Sequence, residues 1–284
     1  MTEQNRTNDT SRISISAHYT GYVWYHHQLS ADEFATSAGR WAYRILTPIN
    51  AILKRLAGAN IDTFLLQRHL VIDHQVEQLI TQHGVTQIIE LAAGLSPRGY
   101  RFSQKYPQLT YIETDLPGMV ERKQQVLASL PVTDTHRVVR CNILQQEGEE
   151  SLAAVFKQLD PLQPTLVISE GLVNYFELPI IRSVWQRLAK HLQNFPVGVY
   201  VTDLYPDLQE HPSYRYVQWA QKLVGFFTRG QWPLHYRSDT DIEQGFQQDG
   251  FAHVTVLNPS QLYDSVNIPH SKTPSLVRII CAQR

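Results

Sequence analysis

The stretch that decides the fold lies at the end of the chain, where FAHVTVL at residues 251–257 is followed by SLVRIICA at residues 275–282. Both runs are rich in β-branched and apolar residues, and the segment that joins them shows no helical spacing. Two consecutive strands without a crossover helix must usually pair antiparallel. We therefore expect the sheet of this protein to close with an antiparallel strand.

Five short apolar runs precede this pair and alternate with helical patterns. The runs cover residues 85–91, 109–114, 136–141, 165–169 and 197–202, with helices expected near residues 99–105, 117–129, 149–158 and 179–192. Strand-helix-strand units of this length predict right-handed crossovers and a parallel sheet covered on both faces. The sequence thus predicts an α/β fold, with a Rossmann-like seven-stranded sheet and an antiparallel last strand. A nicotinamide-binding sheet would continue with another crossover instead.

Two further segments flank or interrupt this sheet. Residues 13–83 are predicted to form an N-terminal helical cap, in which Pro48 begins a helix over residues 50–56, Asp62 caps the next helix and Gly84 ends it. Residues 84–284 are the predicted core, with a helical lid insertion at 204–250 between strands five and six. Residues 1–12 are polar and expected to be a disordered tail. The insertion is rich in aromatic residues: Tyr205, Tyr214, Tyr216, Trp219, Phe226, Phe227, Trp232 and Tyr236.

Composition limits the partners that we expect. The chain has 284 residues, a net charge of -1 and no long basic run, so a nucleic acid or an anionic membrane is not expected as a partner. No signal-peptide pattern and no apolar run of roughly 20 residues is found, which predicts a cytoplasmic protein. The two cysteines, Cys141 and Cys281, are expected to be buried free thiols. The oligomeric state stays open.

The first predicted strand ends in a turn with one acidic residue and one glycine, Glu90-Leu91-Ala92-Ala93-Gly94-Leu95-Ser96. An acidic residue four positions before a glycine at such a turn is typical of nucleoside binding, because the glycine lets a ligand approach the backbone. Dinucleotide-binding loops carry three glycines, so we do not expect a pyrophosphate site. S-adenosylmethionine has no phosphate and suits a loop of this kind.

Polar side chains follow each of the next three strands. Asp115 can accept both hydroxyls of a ribose, although an aspartate just before Pro117 can also cap the next helix. Glu113 is its neighbour on the same face of the strand. Asn142 can bind an adenine edge. Glu170 can receive an ammonium group or, alternatively, be a solvated loop carboxylate.

Several motifs occur in register between about residues 60 and 205. They are Phe64-Leu65-Leu66-Gln67-Arg68, Ile72-Asp73, Glu90-Leu91-Ala92-Ala93-Gly94-Leu95, Tyr100-Arg101, Glu113-Thr114-Asp115-Leu116-Pro117, Arg122-Lys123 and Glu170-Gly171-Leu172-Val173-Asn174-Tyr175-Phe176. Together these motifs resemble the leucine carboxyl methyltransferase superfamily, and within it the bacterial members likened to polyketide O-methyltransferases. The resemblance implies a seven-stranded methyltransferase sheet and binding of S-adenosylmethionine.

The resemblance also implies a role for individual residues. Arg68 matches the arginine that pairs with the carboxylate of the cofactor, Gly94 the glycine under its methionine portion, and Asp115 the ribose-binding aspartate. Glu170 matches the acidic residue near the cofactor's amino group, and Tyr175 lies where acceptor-facing residues are found. Tyr19 in the cap and Tyr205 in the insertion are further candidates for contact with the acceptor.

The chain departs from the family pattern at four places. It has Ala92-Ala93-Gly94 where Gly-Ala-Gly is usual, Asn142-Ile143 where Asp-Leu is common, and Ser96 where an acidic residue is common. Residues 16–22 do not match the members that act on a protein phosphatase. A phosphatase C-terminus is therefore not the expected substrate.

The expected reaction is an in-line displacement that moves the methyl group of S-adenosylmethionine to an acceptor and leaves S-adenosylhomocysteine. The acceptor is expected to be a small molecule that offers a carboxylate or a hydroxyl oxygen. A carboxylate needs no general base, whereas a hydroxyl does, and the sequence identifies no catalytic residue. A His/Asp/Glu set at metal-ligand spacing is absent, so no metal is expected. Two alternatives stay open: a degenerate regulatory or scaffold protein that only binds the cofactor, and a nicotinamide oxidoreductase.

Overall fold

The computed structural model describes residues 13–209 and 232–284 of the chain. Its helices are α1 (Ile13–His26), α2 (Ser37–Ala57), α3 (Ile61–His83), α4 (Arg98–Lys105), α5 (Pro117–Leu127), α6 (Leu152–Phe156), α7 (Leu178–Leu192) and α8 (Asp239–Gln248). Its strands are β1 (Gln87–Leu91), β2 (Thr110–Asp115), β3 (His136–Arg140), β4 (Thr165–Ser169), β5 (Gly198–Leu204), β6 (His253–Leu257) and β7 (Arg278–Gln283). Each predicted strand of the core is therefore present, with ends that differ by at most three residues.

The seven strands form one sheet in the order β3-β2-β1-β4-β5-β7-β6. Strands β1 to β5 are parallel, and β7 pairs antiparallel with both β5 and β6. The segment between β6 and β7 contains only a short 3₁₀ helix (Pro259–Gln261), so no helix is available to carry the chain across the sheet. The predicted seven-stranded sheet with an antiparallel last strand is confirmed.

Successive strand residues alternate between two buried faces of this sheet. Ile88 packs with residues of α3 and α4 on one face, and Ile89 packs with residues of α6, α7 and α8 on the other. Burial on both faces explains why the central strands β1, β4 and β5 are mainly apolar. The carboxyl ends of β1 to β5 then meet at one edge, which is where ligands of open α/β sheets bind.

Two details of the helical cap differ from the prediction. Pro48 does not begin a helix but lies inside α2, on its exposed side, where water can solvate the carbonyl that lacks an amide partner. Asn60, not Asp62, caps α3, and its side chain accepts a hydrogen bond from the backbone N–H of Thr63 over 2.9 Å. Gly84 ends α3 in the left-handed conformation, as predicted.

Helix α1 packs on α2 and covers the turn after β1. Gly21 lies so close to Leu95 that a Cβ atom there would be 3.2 Å from the Leu95 Cβ, and one on Gly94 would be 3.4 Å from the Ala17 Cβ. Of the predicted insertion, residues 204–209 and 232–250 are described. Tyr214, Tyr216, Trp219, Phe226 and Phe227, together with the predicted tail at 1–12, lie outside the described residues. Among the described helices, none is long and apolar enough to cross a membrane.

Candidate functional site

The turn after β1 is fixed to the end of β2 by a carboxylate. Oδ2 of Asp115 accepts the backbone N–H of Gly94 over 2.8 Å, and Oδ1 accepts the N–H of Leu116 over 2.7 Å. Burial raises the pKa of Asp115, and these two amide donors oppose that rise. Asp115 therefore holds the glycine turn against β2 and does not cap an amide inside α5, whose cap residue is Leu116.

The same turn contains two residues with positive φ. Gly94 has φ 53° and Ala92 has φ 50°. Glycine adopts this left-handed conformation at little cost, whereas alanine is strained there because its Cβ crowds the following carbonyl oxygen. The strained residue, Ala92, occupies the first position of the Gly-Ala-Gly pattern that is usual in the family this sequence resembles.

A buried ion pair lies at the end of β4. Nε of Arg68, on α3, donates to Oε1 of Glu170 over 2.9 Å, and both side chains are more than nine-tenths buried. Nη1 of Arg68 is also 3.6 Å from Oδ2 of Asp203 at the end of β5. Burial would raise the pKa of Glu170, but the charges of His69, Arg98 and Arg68 hold that pKa well below its usual range.

Gly171 allows the Arg68 side chain to lie against the backbone after β4. A Cβ atom on Gly171 would be 3.1 Å from both Nη1 and Nη2 of Arg68, and its φ of 67° also favours glycine. The Gly171 N–H donates to Oδ1 of Asp203 over 2.6 Å. Burial raises the pKa of Asp203 to about 6, with Arg68 opposing and Glu170 adding to the rise.

Arg98, the first residue of α4, joins this pair to the end of β1. It is fully buried, and it donates to Glu90 over 2.7 Å, to Asp73 over 2.6 Å and to Glu170 over 2.5 Å. The ring of His69 lies in the same cluster, with Nδ1 2.8 Å from Oε2 of Glu170. Arg98 has four hydrogen-bonded side-chain partners and Glu170 has three, which offsets the cost of removing these charges from water.

Trp24 and Arg101 complete the surroundings of His69. The Trp24 ring from α1 stacks on the imidazole with centroids 4.2 Å apart. Nη2 of Arg101 lies 3.3 Å from Nε2 of His69 and binds Asp73 as well. The cap and the core therefore share one buried polar network.

Glu90 faces this network and not the open side of the turn. Its side chain is 1% exposed, and its two oxygens accept hydrogen bonds from Arg98 and from the hydroxyl of Tyr111, the latter over 2.6 Å. The structure thus gives Glu90 a part in positioning Arg98, and its predicted contact with a cofactor stays a prediction.

A second buried cluster of polar side chains also holds the turn after β1. Glu113 on β2 forms an ion pair with Lys123 of α5 and accepts a hydrogen bond of 2.7 Å from His136 of β3. Nζ of Lys123 also donates to the carbonyl of Ser96 over 2.5 Å. The turn that holds Gly94 is therefore anchored by side chains from two strands and one helix.

The three predicted acceptor-facing residues lie in two regions. Tyr175 and Tyr205 follow β4 and β5, whereas Tyr19 is in α1. Burial raises the pKa of Tyr205 to about 12, and the positive charge of Arg68 opposes this rise. Tyr175 belongs to a 3₁₀ helix after β4, and its neighbour Asn174 binds the backbone N–H and carbonyl of Tyr205 over 2.9 and 3.1 Å. Tyr175 and Tyr205 are thus on loops that are tied together.

Tyr19 is engaged within the cap. Its hydroxyl donates to Oδ1 of Asp62 over 2.7 Å, and Tyr43 donates to the other oxygen of Asp62 over 3.2 Å. These bonds tie α1 and α2 to the start of α3. Binding of an acceptor by Tyr19 stays a prediction.

Asn142 lies next to the end of β2. The N–H of Cys141 donates to the carbonyl of Asp115 over 2.9 Å, and Oδ1 of Asn142 accepts the N–H of Leu144 over 3.0 Å. Asn142 thus shapes the turn after β3, and its predicted adenine contact is not tested by these bonds. No cluster of three or more histidine, cysteine or acidic side chains that could hold a metal is found in residues 13–209 and 232–284.

This arrangement can now be compared with known proteins. A sequence model of the leucine carboxyl methyltransferase family matches residues 25–189, which is more than half of the chain. The chain belongs to this family. The match covers the cap from the end of α1 onward and the carboxyl edge up to α7, and hence contains Arg68, Asp115 and Glu170.

Individual relatives match over stretches of different length. A candidate S-adenosyl-L-methionine-dependent methyltransferase from Mycobacterium marinum is 38% identical over 97 residues, which are 34% of this chain and 29% of that protein. One from Mycolicibacterium smegmatis is 27% identical over 208 residues, covering 70% of this chain and 66% of that protein. The first match thus spans less than a third of its relative's length.

Solved structures share the fold of this leucine carboxyl methyltransferase family member at low identity. A candidate methyltransferase from Thermobifida fusca has a TM-score of 0.61 at 15% identity, covering 94% of both chains. A DUF574-family protein from Streptomyces avermitilis has a TM-score of 0.61 at 12% identity, covering 95% of this chain and 97% of that one. These likenesses support the methyltransferase-type sheet.

The sequence pointed to some residues of these buried clusters but not to others. Arg68, Glu170 and Asp115 were predicted, whereas the structural roles of His69, Arg98, Asp203 and Lys123 were not. His69 and Asp73 are four positions apart on a helix, a spacing that places them on one face. Nothing local in the sequence distinguishes the buried Arg98 from an exposed arginine.

Proposed function

We propose that this protein is an S-adenosylmethionine-dependent methyltransferase that methylates a carboxylate or hydroxyl oxygen of a small molecule. Membership of the leucine carboxyl methyltransferase family supports the reaction class. The observation that carries the proposal is the Arg68–Glu170 pair at the end of β4, with Asp115 at the end of β2. All three lie at the edge where ligands of this sheet type bind.

The donor set fits the cofactor chemically. Its amino-acid end carries one carboxylate and one ammonium group, for which the Arg68 guanidinium and the Glu170 carboxylate are complementary partners. Oxygens of Asp115 each hold one backbone amide and retain further lone pairs for ribose hydroxyls. When bound, the cofactor supplies a methyl group on a positively charged sulfur, which is a good leaving group.

The protein's own contribution is orientation and exclusion of water. Asp115 and Lys123 fix the glycine turn, while α1 lies over that turn through Ala17 and Gly21. Holding two reactants in line is worth roughly 7–11 kcal/mol of the barrier in well-oriented systems. A carboxylate acceptor would need no further group, because it is ionised at neutral pH.

Calorimetry with S-adenosylhomocysteine tests the cofactor part of the proposal. We expect binding by the wild-type protein and a clear loss with Asp115→Asn, which keeps the amide contacts partly but loses the charge. Asp134→Asn, a change of the same chemistry at an exposed position, is the matched control. Absence of binding by the folded wild-type protein would contradict the proposal.

Transfer is tested separately with labelled S-adenosylmethionine and a panel of carboxylic acids, phenols and alcohols. Product with at least one oxygen acceptor supports the enzyme. Binding without any product supports a cofactor-binding regulatory or scaffold protein, the second candidate. The strained Ala92 in the turn is the observation that favours this alternative, because active-site turns of this kind usually use glycine.

A further inference from the structure

Helix α2 has apolar side chains on two sides: one side packs against α1 and α3, and the other is exposed. Leu46 is buried, and Tyr43 and Ile49 are partly buried, in the cluster that α2 forms with α1 and α3. On the uncovered side, Trp41 is 68% exposed, Ile45 46% and Ile52 59%. Within the described residues, these are three of the seven large hydrophobic side chains with high exposure.

The exposed residues form one stripe. Trp41, Ile45, Pro48 and Ile52 are separated by four, three and four positions, which aligns them along one side of an α-helix. The stripe runs for about 16 Å at 1.5 Å per residue. A convex ridge of this kind fits a soft apolar layer better than a pocket of another protein.

Basic side chains share the exposed surface of α2 with this stripe. Arg40, Arg44, Lys54 and Arg55 are all exposed, and the 21 residues of α2 include no aspartate or glutamate. In the described part of the chain none of these four cations forms an ion pair with a carboxylate. The exposed acids Asp32 and Glu33 come before the helix and do not interrupt the stripe.

We propose that α2 is an interfacial helix that docks this protein on an anionic lipid surface. Such helices lie in the plane of the bilayer, with the apolar side about 5–10 Å into the headgroup boundary and the cations among the lipid phosphates. Tryptophan is favoured at that depth. The chain's net charge of -1 gives no attraction as a whole, but four exposed cations on a helix without acidic residues provide one locally.

The experiment is co-sedimentation of the full chain with vesicles of phosphatidylcholine alone and of phosphatidylcholine with phosphatidylserine at two to one. We expect binding to the anionic vesicles at low salt, a drop of at least tenfold with Ile45→Ser/Ile52→Ser, and a similar drop with Arg40→Gln/Arg44→Gln/Arg55→Gln. Leu162→Ser is the matched control, because Leu162 is 80% exposed but lies outside the cap. Thermal unfolding of each variant shows that the fold is kept.

Two outcomes would overturn the proposal. One is that wild-type protein does not bind the anionic vesicles, or that the Ile45→Ser/Ile52→Ser variant binds them as strongly as wild-type protein does. The other is a wild-type dimer in light scattering that this variant converts to a monomer, without vesicle binding by either, which would make the stripe a contact between copies. The proposal does not depend on the proposed enzymatic function, since neither outcome involves the cofactor.

Discussion

Arg68 and Glu170 are 102 positions apart in the sequence, yet Nε of Arg68 donates a hydrogen bond of 2.9 Å to Oε1 of Glu170. The pair joins α3 of the helical cap to the end of β4 in the sheet. Its charges also match the two charged groups at the amino-acid end of the proposed cofactor. A contact that holds the cap on the core is therefore also the proposed binding site.

Replacing Arg68 with alanine is expected to weaken binding of S-adenosylhomocysteine by roughly 2–5 kcal/mol, because the variant loses a cation that pairs with a desolvated carboxylate. Arg68→Lys keeps the charge but not the planar fork, and should lose less. Calorimetry measures both affinities. Arg182→Ala is the control, since Arg182 pairs with Asp249 away from the site. An unchanged affinity in Arg68→Ala would contradict the assignment.

Asp203 is expected to make the protein less stable as pH rises from about 4 to about 6. Its pKa is raised to about 6 by burial, so the folded state binds a proton in this range that the unfolded state has released. The penalty is fully present above pH 6 and amounts to about 3 kcal/mol. Glu170, with a lowered pKa, acts in the opposite direction and below about pH 4.5.

The test is urea unfolding of the wild-type protein and of Asp203→Asn at several pH values. The stability of the variant relative to wild type should increase between pH 4 and pH 6 and then stay level. Asp160→Asn, at an exposed position, should show no such trend. A flat difference for Asp203→Asn across this range would mean that Asp203 is ionised throughout.

Ala92→Gly is expected to stabilise the protein by about 0.5–1 kcal/mol. Removing the side chain relieves a left-handed residue that costs roughly 1–2 kcal/mol, and the greater freedom of glycine in the unfolded chain takes back part of the gain. Denaturant unfolding measures the change. Ala93→Gly, next to it and without positive φ, should instead destabilise. A destabilised Ala92→Gly would show that the turn is not strained.

Gly39→Ala is expected to loosen the cap. A Cβ atom there would lie 2.3 Å from the carbonyl oxygen of His18, so α1 and α2 would have to separate, at a cost of about 3 kcal/mol. Limited proteolysis and thermal unfolding should both show the loss. Gly84→Ala meets no atom within 4 Å and is strained only by its φ of 68°, so it should leave the cap protected.

The sheet could be predicted because its signal is local. Residues 166–168 are Leu, Val and Ile between Thr165 and Ser169, and the predicted and observed limits of β4 are the same. The antiparallel end follows from the absence of a helical pattern between residues 257 and 275, which any parallel return would need. Asp115 and Glu170 could be placed at the edge because each directly ends or follows a parallel strand.

The cap was harder to predict. Pro48 was expected to begin a helix, but α2 continues through it because packing on α1 and α3 outweighs one missing hydrogen bond on an exposed side. Asp62 was expected to cap the N-terminus of α3. Its carboxylate instead accepts hydrogen bonds from the hydroxyls of Tyr19 and Tyr43. Such choices depend on partners that are distant in the sequence.

The sequence by itself determined the order of strands and helices and the polar residues at the strand ends, because hydrophobic period and turn residues act over a few positions. Only the tertiary structure decided what those residues face. It directed Glu90 to the buried Arg98, joined Arg68 to Glu170 and left the Trp41–Ile52 stripe uncovered. The physical reason is that a buried charged group must be paired with oppositely charged or hydrogen-bonding groups nearby. Which groups are nearby depends on the tertiary fold.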